Sequence, residues 1–197
     1  KSANYSLEYS KIMGKNRMTV FSRDILADRE RRLELLELLR ESVERGFAGF
    51  TIHYQPQVDT VSGRLCGAEA LARWHCTKYG DVSPGEFIPL MEQSGLIIPF
   101  GQWILSRGMA QCLEWCRFRP DFQISVNLSY IQLAQGDFIS FLRTALEEHS
   151  LAPSKIILEL TETYLAKAEE DTLRMIAQMK ELGVKIAMDD FGVGYSS

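Results

Sequence analysis

After Gly46 the chain alternates between short strand-like apolar runs and longer amphipathic runs, and this alternation constrains its architecture more than any other feature. Strands are predicted near 50–58, 65–74, 122–128, 155–161 and 184–190, and helices near 84–94, 100–117, 136–149 and 168–182. Repeated strand and helix units imply parallel strands covered by helices, an α/β fold. Periodicity does not choose between a closed barrel and an open doubly wound sheet. The absence of a glycine-rich phosphate loop after the first strand disfavours the nucleotide-binding open sheet. Ahead of the alternation, the stretch from Asp28 to Glu44 places Leu35, Leu36, Leu39 and Val43 on one face with charges opposite. That pattern predicts a linker helix closing at Gly46 and capping the next domain; too few heptads are present for a coiled coil. The expected divisions are the tail of another unit over 1–22, the linker over 23–46 and the main domain over 47–197.

Several predicted strands end in polar residues that do not belong in a core: Glu69 in GAEALARW, Asn127 in ISVNLS, Glu159 in IILELTE, and Asp189 with Asp190 in IAMDDFG. Such groups are costly to bury unpaired, so one at the end of strand after strand calls for a shared partner, most simply a cation. In barrel enzymes the carboxyl ends of the strands form a single active-site face, where side chains converge although these lie about 30 to 60 residues apart in sequence. The period of two puts Glu159 with Ile157 and Thr161 on one face, against Ile156, Leu158 and Leu160 under the helices. It sets Asp189 against Ile186, Met188 and Asp190. Glu69, Leu71 and Arg73 point one way, with Glu69 and Arg73 roughly 13 Å apart at Cα in an extended strand. An all-oxygen set of carboxylates and an amide suits Mg²⁺ or Mn²⁺ better than zinc, and Arg73 can fork onto a phosphate. Metal-assisted reaction of a phosphate ester is the first chemical expectation. The plainer reading, that each acid caps a helix or forms an ion pair, fits any single position better than it fits four together. For Glu162, just past the strand, a cap and a functional role weigh equally.

With a formal net charge of −4, the chain has no global attraction for nucleic acid or anionic lipid, so bound phosphate needs a local site or a metal. No apolar run approaches the roughly 20 residues of a membrane span, and residues 1–15 lack the apolar stretch of a secretion signal. A cytoplasmic segment without membrane contact is expected, in a parent protein that can itself be membrane-anchored. Cys66, Cys76, Cys112 and Cys116 form no paired framework, and reduced thiols are a better expectation than a zinc site completed by His75. Of the histidines, His53 is expected in a strand, His75 in a loop and His149 near a helix end. Trp103 and Trp115 fit helix packing better than base stacking.

Six motifs in order make the chain resemble the EAL cyclic-di-GMP phosphodiesterase domain from about Phe50 onward. They are Tyr54-Gln55-Pro56, Glu69 to Trp74 (EALxRW), Ser83 to Glu92 (SPGEFIPLxE), Ser125 to Ser129 (SVNLS), Leu158 to Glu162 (LELTE) and Asp189 to Ser197 (DDFGxGYSS). The resemblance implies a TIM-like (β/α)8 barrel whose first strand runs antiparallel to the others, and hydrolysis of cyclic-di-GMP to linear pGpG. By position it implies that Glu69, Asn127, Glu159 and Asp189 hold one Mg²⁺ or Mn²⁺ and Asp190 a second. Arg73 would then grip a substrate phosphate, Gln55 lie near the substrate, and Glu162 support the loop from Asp189 to Ser197. Residues 3–21 are similar to the C-terminal end of GGDEF-type diguanylate cyclase domains, with Lys11, Gly14, Lys15, Asn16 and Arg17 matching and Ser10 where alanine is usual.

The family pattern continues beyond Ser197 with strands bearing a catalytic Lys, a metal-binding Glu and a Gln-Gly pair. About five of the eight barrel strands are therefore expected here, and a barrel so interrupted has two open edges. The resemblance further implies a homodimer and upstream GGDEF-type and sensor domains in the parent chain. Two other readings stand beside hydrolysis: a non-hydrolytic cyclic-di-GMP sensor, and a structural module with a degenerate site. Glu69, Asn127, Asp189 and Asp190 together argue against the last.

Overall fold

The computed structural model describes residues 23–134, 137–161 and 170–189. Residues 1–22, with their expected cyclase-like pattern, lie outside the described residues. A long helix, α1 (Arg23–Glu44), leads into strands β1 (Phe50–Val58), β2 (Leu65–Cys76) and β3 (Gly80–Val82) and helices α2 (Pro84–Ser94) and α3 (Ile97–Cys116). Strand β4 (Gln123–Asn127), helices α4 (Tyr130–Ala134) and α5 (Phe138–Glu148), a 3-10 turn (Pro153–Lys155), strand β5 (Ile156–Thr161), helix α6 (Glu170–Glu181) and strand β6 (Lys185–Asp189) complete the described elements.

Strand order in the sheet is β1-β2-β4-β5-β6, with β3 paired to the end of β2. Strand β1 runs antiparallel to β2, whereas β2, β4, β5 and β6 are mutually parallel. The parallel strands are laid down in sequence order without the reversal that defines a doubly wound sheet, so the architecture is a partial barrel. The expected antiparallel first strand is present.

Two differences from the sequence expectation share one cause. Trp74, His75 and Cys76 pair with Val82, Asp81 and Gly80, which extends β2 past Trp74 and places His75 in a strand rather than a loop. A three-residue partner strand is too short to show a period. The helix expected near 136–149 is likewise preceded by the separate short helix α4, whereas α1 starts at Arg23, the first residue of the expected linker.

The core lies in two parts. The larger packs Ile124, Val126, Ile156, Leu158 and Leu160 of the strands against Leu105, Met109, Leu142 and Met179 of the helices. Burial along β5 alternates as expected: Ile156, Leu158 and Leu160 are buried, and Glu159 lies on the more open face. The smaller part is aromatic. Phe50 stacks on Trp74 at 5.6 Å, with Phe87 and Phe100 edge-on or tilted around them, and Leu35 and Leu39 of α1 close it from outside. Trp103 packs on Phe47 and Phe100, and Trp115 packs on Tyr54 and Phe122, so both serve packing.

The turn from α1 into β1 depends on glycine. Gly49 has φ of 83°, and a Cβ there would stand 2.4 Å from the His75 carbonyl oxygen. The same glycine carbonyl accepts from the His75 amide at 3.0 Å, so the two backbones cannot part without losing a bond. Gly49→Ala combines left-handed strain with this clash, and chemical denaturation should show a loss of about 2–4 kcal/mol.

Candidate active site

Register carries the strand-end polar residues to one place. Glu69 of β2 is level with Ser125 of β4, so Asn127 stands two residues further along; Asn127 is level with Glu159 of β5; and Asp189 of β6 is level with Thr161, two beyond Glu159. Every offset is even, and an odd one would have moved a residue to the opposite face. The offsets also run in one direction, four residues over three strand steps. A barrel of eight strands with a shear of eight staggers its strands by about one residue per step, so these positions sit at nearly one height on its rim. Gln55 of β1 is directly opposite Glu69 and joins the same face.

The Asn127 side-chain amide donates to Glu69 Oε1 at 2.7 Å. Asn127 is exposed and Glu69 and Glu159 are half-buried, which differs from the fully dry setting that the sequence argument assumed. The strand ends open to solvent, so desolvation alone does not demand a cation; convergence is what the fold supplies. Arg73 lines the same mouth, but its guanidinium Nη1 donates to the Ala72 carbonyl at 2.8 Å. Glu162 and Asp190 lie outside the described residues, as does the Asp189 side chain.

Beside the strand ends is a cavity of about 440 Å³, lined by Arg73, Glu92, Asn127, Glu159 and Thr161 and walled by apolar residues of α2 and α3 such as Ile88 and Phe100. A mostly apolar cavity with a few convergent polar groups is the usual form of a small-ligand site.

Helix α2 is set against this cavity by a well-formed start and stop. Ser83 caps it, accepting from the Gly85 amide at 3.3 Å; Pro84 occupies the first turn; Gly95 at φ 77° ends it. Its last-turn residue Glu92 accepts a 2.7 Å bond from Ser129 Oγ, just beyond Asn127. The Ser129 amide in turn donates to Gln132 Oε1 at 3.1 Å, and Gln132 is buried. Sequence reasoning placed Glu92 and Ser129 inside motifs without giving them work. One signal was available: an acid in the last turn of a helix opposes the macrodipole and needs a partner.

Among the described residues no cysteine or histidine lines this cavity, although His53 of β1, opposite Leu71, shares the face of Gln55 and Glu69. Cys112 and Cys116 both face the Phe122 carbonyl, and burial pushes the Cys112 thiol up to about 12. His75 pairs with Asp81 at 2.8 Å and His149 with Ser106 at 3.0 Å. Among the described residues no three His, Cys, Asp or Glu side chains gather as a metal cluster, and no helix is long and apolar enough to cross a membrane.

The EAL domain family model matches residues 37–197. A Pseudomonas aeruginosa protein named bifunctional diguanylate cyclase/cyclic di-GMP phosphodiesterase MucR is 38% identical over 197 residues, covering 100% of this chain and 28% of that protein. The cyclic di-GMP phosphodiesterase PA2567 of the same organism is 35% identical over 149 residues, 76% of this chain and 25% of its own length. A solved structure described as the PaMucR phosphodiesterase in complex with c-di-GMP is 42% identical, with a TM-score of 0.75, covering 83% of this chain and 66% of that one. This chain therefore spans less than a third of the length of the two named relatives. On the family match and the shared fold, the chain belongs to the EAL domain family.

Proposed function

We propose that the protein of which this chain is part hydrolyses cyclic-di-GMP to linear pGpG with the help of Mg²⁺ or Mn²⁺. The observation that carries this reading is the same-face convergence of Glu69, Asn127 and Glu159 at the rim of a partial barrel, beside a cavity that Arg73 also lines. The names of the MucR and PA2567 relatives and the ligand in the PaMucR structure support the substrate.

The donor set fits a hard divalent cation. Glu69 and Glu159 offer carboxylate oxygens, and half a turn of the Asn127 amide presents its oxygen where its nitrogen now meets Glu69. In this reading Glu69, Asn127, Glu159 and Asp189 hold one ion and Asp190 helps hold a second. When bound, such ions lower the pKa of water and neutralise charge on phosphoryl oxygens. Water adds to phosphorus, one P–O3′ bond breaks, and the released 3′ oxygen takes up a proton, which opens the ring to a linear dinucleotide bearing a 5′-phosphate. Arg73 exchanges its bond to the Ala72 carbonyl for a phosphate oxygen, Gln55 borders the substrate, and Glu162 supports the loop after Asp189. Family resemblance is the support for a homodimer, for upstream cyclase-type and sensor domains, and for a cytoplasmic site of action.

The test is incubation of the full-length protein with cyclic-di-GMP and Mn²⁺, with product separated by chromatography. pGpG should accumulate, and a chelator should stop it. Nucleotide binding with no pGpG under any divalent ion would instead establish the non-hydrolytic sensor.

A further inference from the structure

We propose that Glu92 is a positioning residue for this chemistry: through Ser129 it holds the turn that aims Asn127 at Glu69. The inference rests on the functional reading above for its kinetic and metal-binding consequences. Its geometry stands alone.

Asn127 is the last residue of β4, and the chain beyond it is pinned three times in succession. The Leu128 amide donates to the Glu159 carbonyl at 2.9 Å, the Ser129 amide to Gln132 Oε1 at 3.1 Å, and Ser129 Oγ to Glu92 Oε1 at 2.7 Å. The same Ser129 oxygen accepts from the Ile131 amide at 3.4 Å, which joins the pin to the first turn of α4. An ionised carboxylate is only an acceptor, so Glu92 fixes the serine proton toward itself and leaves the serine lone pairs for Ile131. The bond is short and charge-assisted.

Nothing about helix α2 itself calls for an acid at this place. Residue 92 is in the last turn, where a negative charge faces the carbonyl end of the dipole, and that turn carries no basic residue to offset it. The carboxylate is instead turned into the cavity wall with Asn127, Ser129 and Glu159. Gly101 of α3 backs the Gln132 side chain that accepts from the Ser129 amide: a Cβ there would meet Gln132 Nε2 at 1.8 Å. The turn after Asn127 is therefore held by α2 directly and backed by α3 through Gln132. An exposed amide that must be presented in one orientation gains from such a clamp what its own surroundings do not give.

The experiment compares Glu92→Ala, Glu92→Gln, Ser129→Ala and the double alanine variant in the full-length protein. Three readouts are used: Mn²⁺ affinity by electron paramagnetic resonance, steady-state hydrolysis of cyclic-di-GMP, and the side-chain amide signals of Asn127 in ¹⁵N-asparagine-labelled protein, assigned with Asn127→Asp. Both single alanine variants should weaken Mn²⁺ binding about ten- to a hundredfold, the usual range for a group that orients a ligand. They should lower kcat more than they raise KM, and shift the Asn127 signals. The double variant should be no worse than either single one, because they break one bond. Glu92→Gln keeps an acceptor oxygen and should restore most of the loss. Glu92→Ala that lowers only the thermal midpoint, with Asn127 signals and Mn²⁺ affinity unmoved, would overturn the proposal. A parent protein without hydrolysis, in which the Asn127 signals and Mn²⁺ affinity still respond, would refute the reaction and leave the positioning role standing.

Discussion

Glu69→Gln in the full-length protein is expected to reduce cyclic-di-GMP hydrolysis by about 10²–10³-fold, in the range seen when one preorganised electrostatic group is lost. Glutamine has nearly the same shape, and its side-chain oxygen can still accept the 2.7 Å bond that Asn127 gives Glu69 Oε1. The substitution thus removes a charge and little else. Glu69 is only half-buried and its neighbour Asn127 is exposed, so the fold should tolerate the change, with a thermal midpoint equal to or above that of the parent. The paired measurement separates two explanations. Activity lost with stability kept places the carboxylate in the chemistry, whereas full activity with undiminished Mn²⁺ binding would remove Glu69 from the site. Stability lost along with activity would make it a structural residue.

Much of this site was legible in the sequence because strands obey a period of two. Glu159 between Leu158 and Leu160 had to face away from the helices, and it does. Glu69 and Asn127 followed from the same rule applied to separate strands, but the rule does not supply the offset between strands. That needs pairing, and the pairs Glu69 with Ser125 and Asn127 with Glu159 bring the groups to one rim. The position of Arg73 was legible and its present bond was not, since a guanidinium on a long stem takes whichever carbonyl is near, here that of Ala72. Strand β3 and helix α4 escaped notice because three and five residues carry no measurable period. Glu92 escaped for a different reason. Its work is done 37 residues away in sequence, on a serine that looks like an ordinary turn residue.

The second large effect is expected where α1 meets the barrel: Leu39→Ala should destabilise the domain by about 2–5 kcal/mol, and Leu35→Ala by a similar amount. Both leucines have no exposed surface and pack in the cluster that contains Phe50, Trp74 and Phe87. The polar contacts of the same helix are more conspicuous. Arg31 makes a two-pronged bond to Glu86 at 2.7 and 3.1 Å and lies 4.3 Å above the Tyr79 ring, while Glu34 takes bonds from Lys78 and Tyr79. Yet the Arg31 and Glu86 side chains are 37% and 32% exposed, and solvent screens such a pair to about 0.5–1 kcal/mol. Lys78, and after it Tyr79, hold the Glu34 carboxyl below its usual range. That contribution is present at neutral pH and fades as pH falls through the lowered value. Urea denaturation of Leu39→Ala and Arg31→Ala should therefore rank them in that order, and the reverse order would mean that charge, not apolar burial, docks the helix. The ranking bears on the rim as well. Helix α2 carries Glu86 in its first turn against α1 and Glu92 in its last turn against Ser129, so one short helix joins α1 to the rim. Breaking the ion pair alone leaves Leu35 and Leu39 in place and should leave Mn²⁺ affinity unchanged; Leu39→Ala should weaken it.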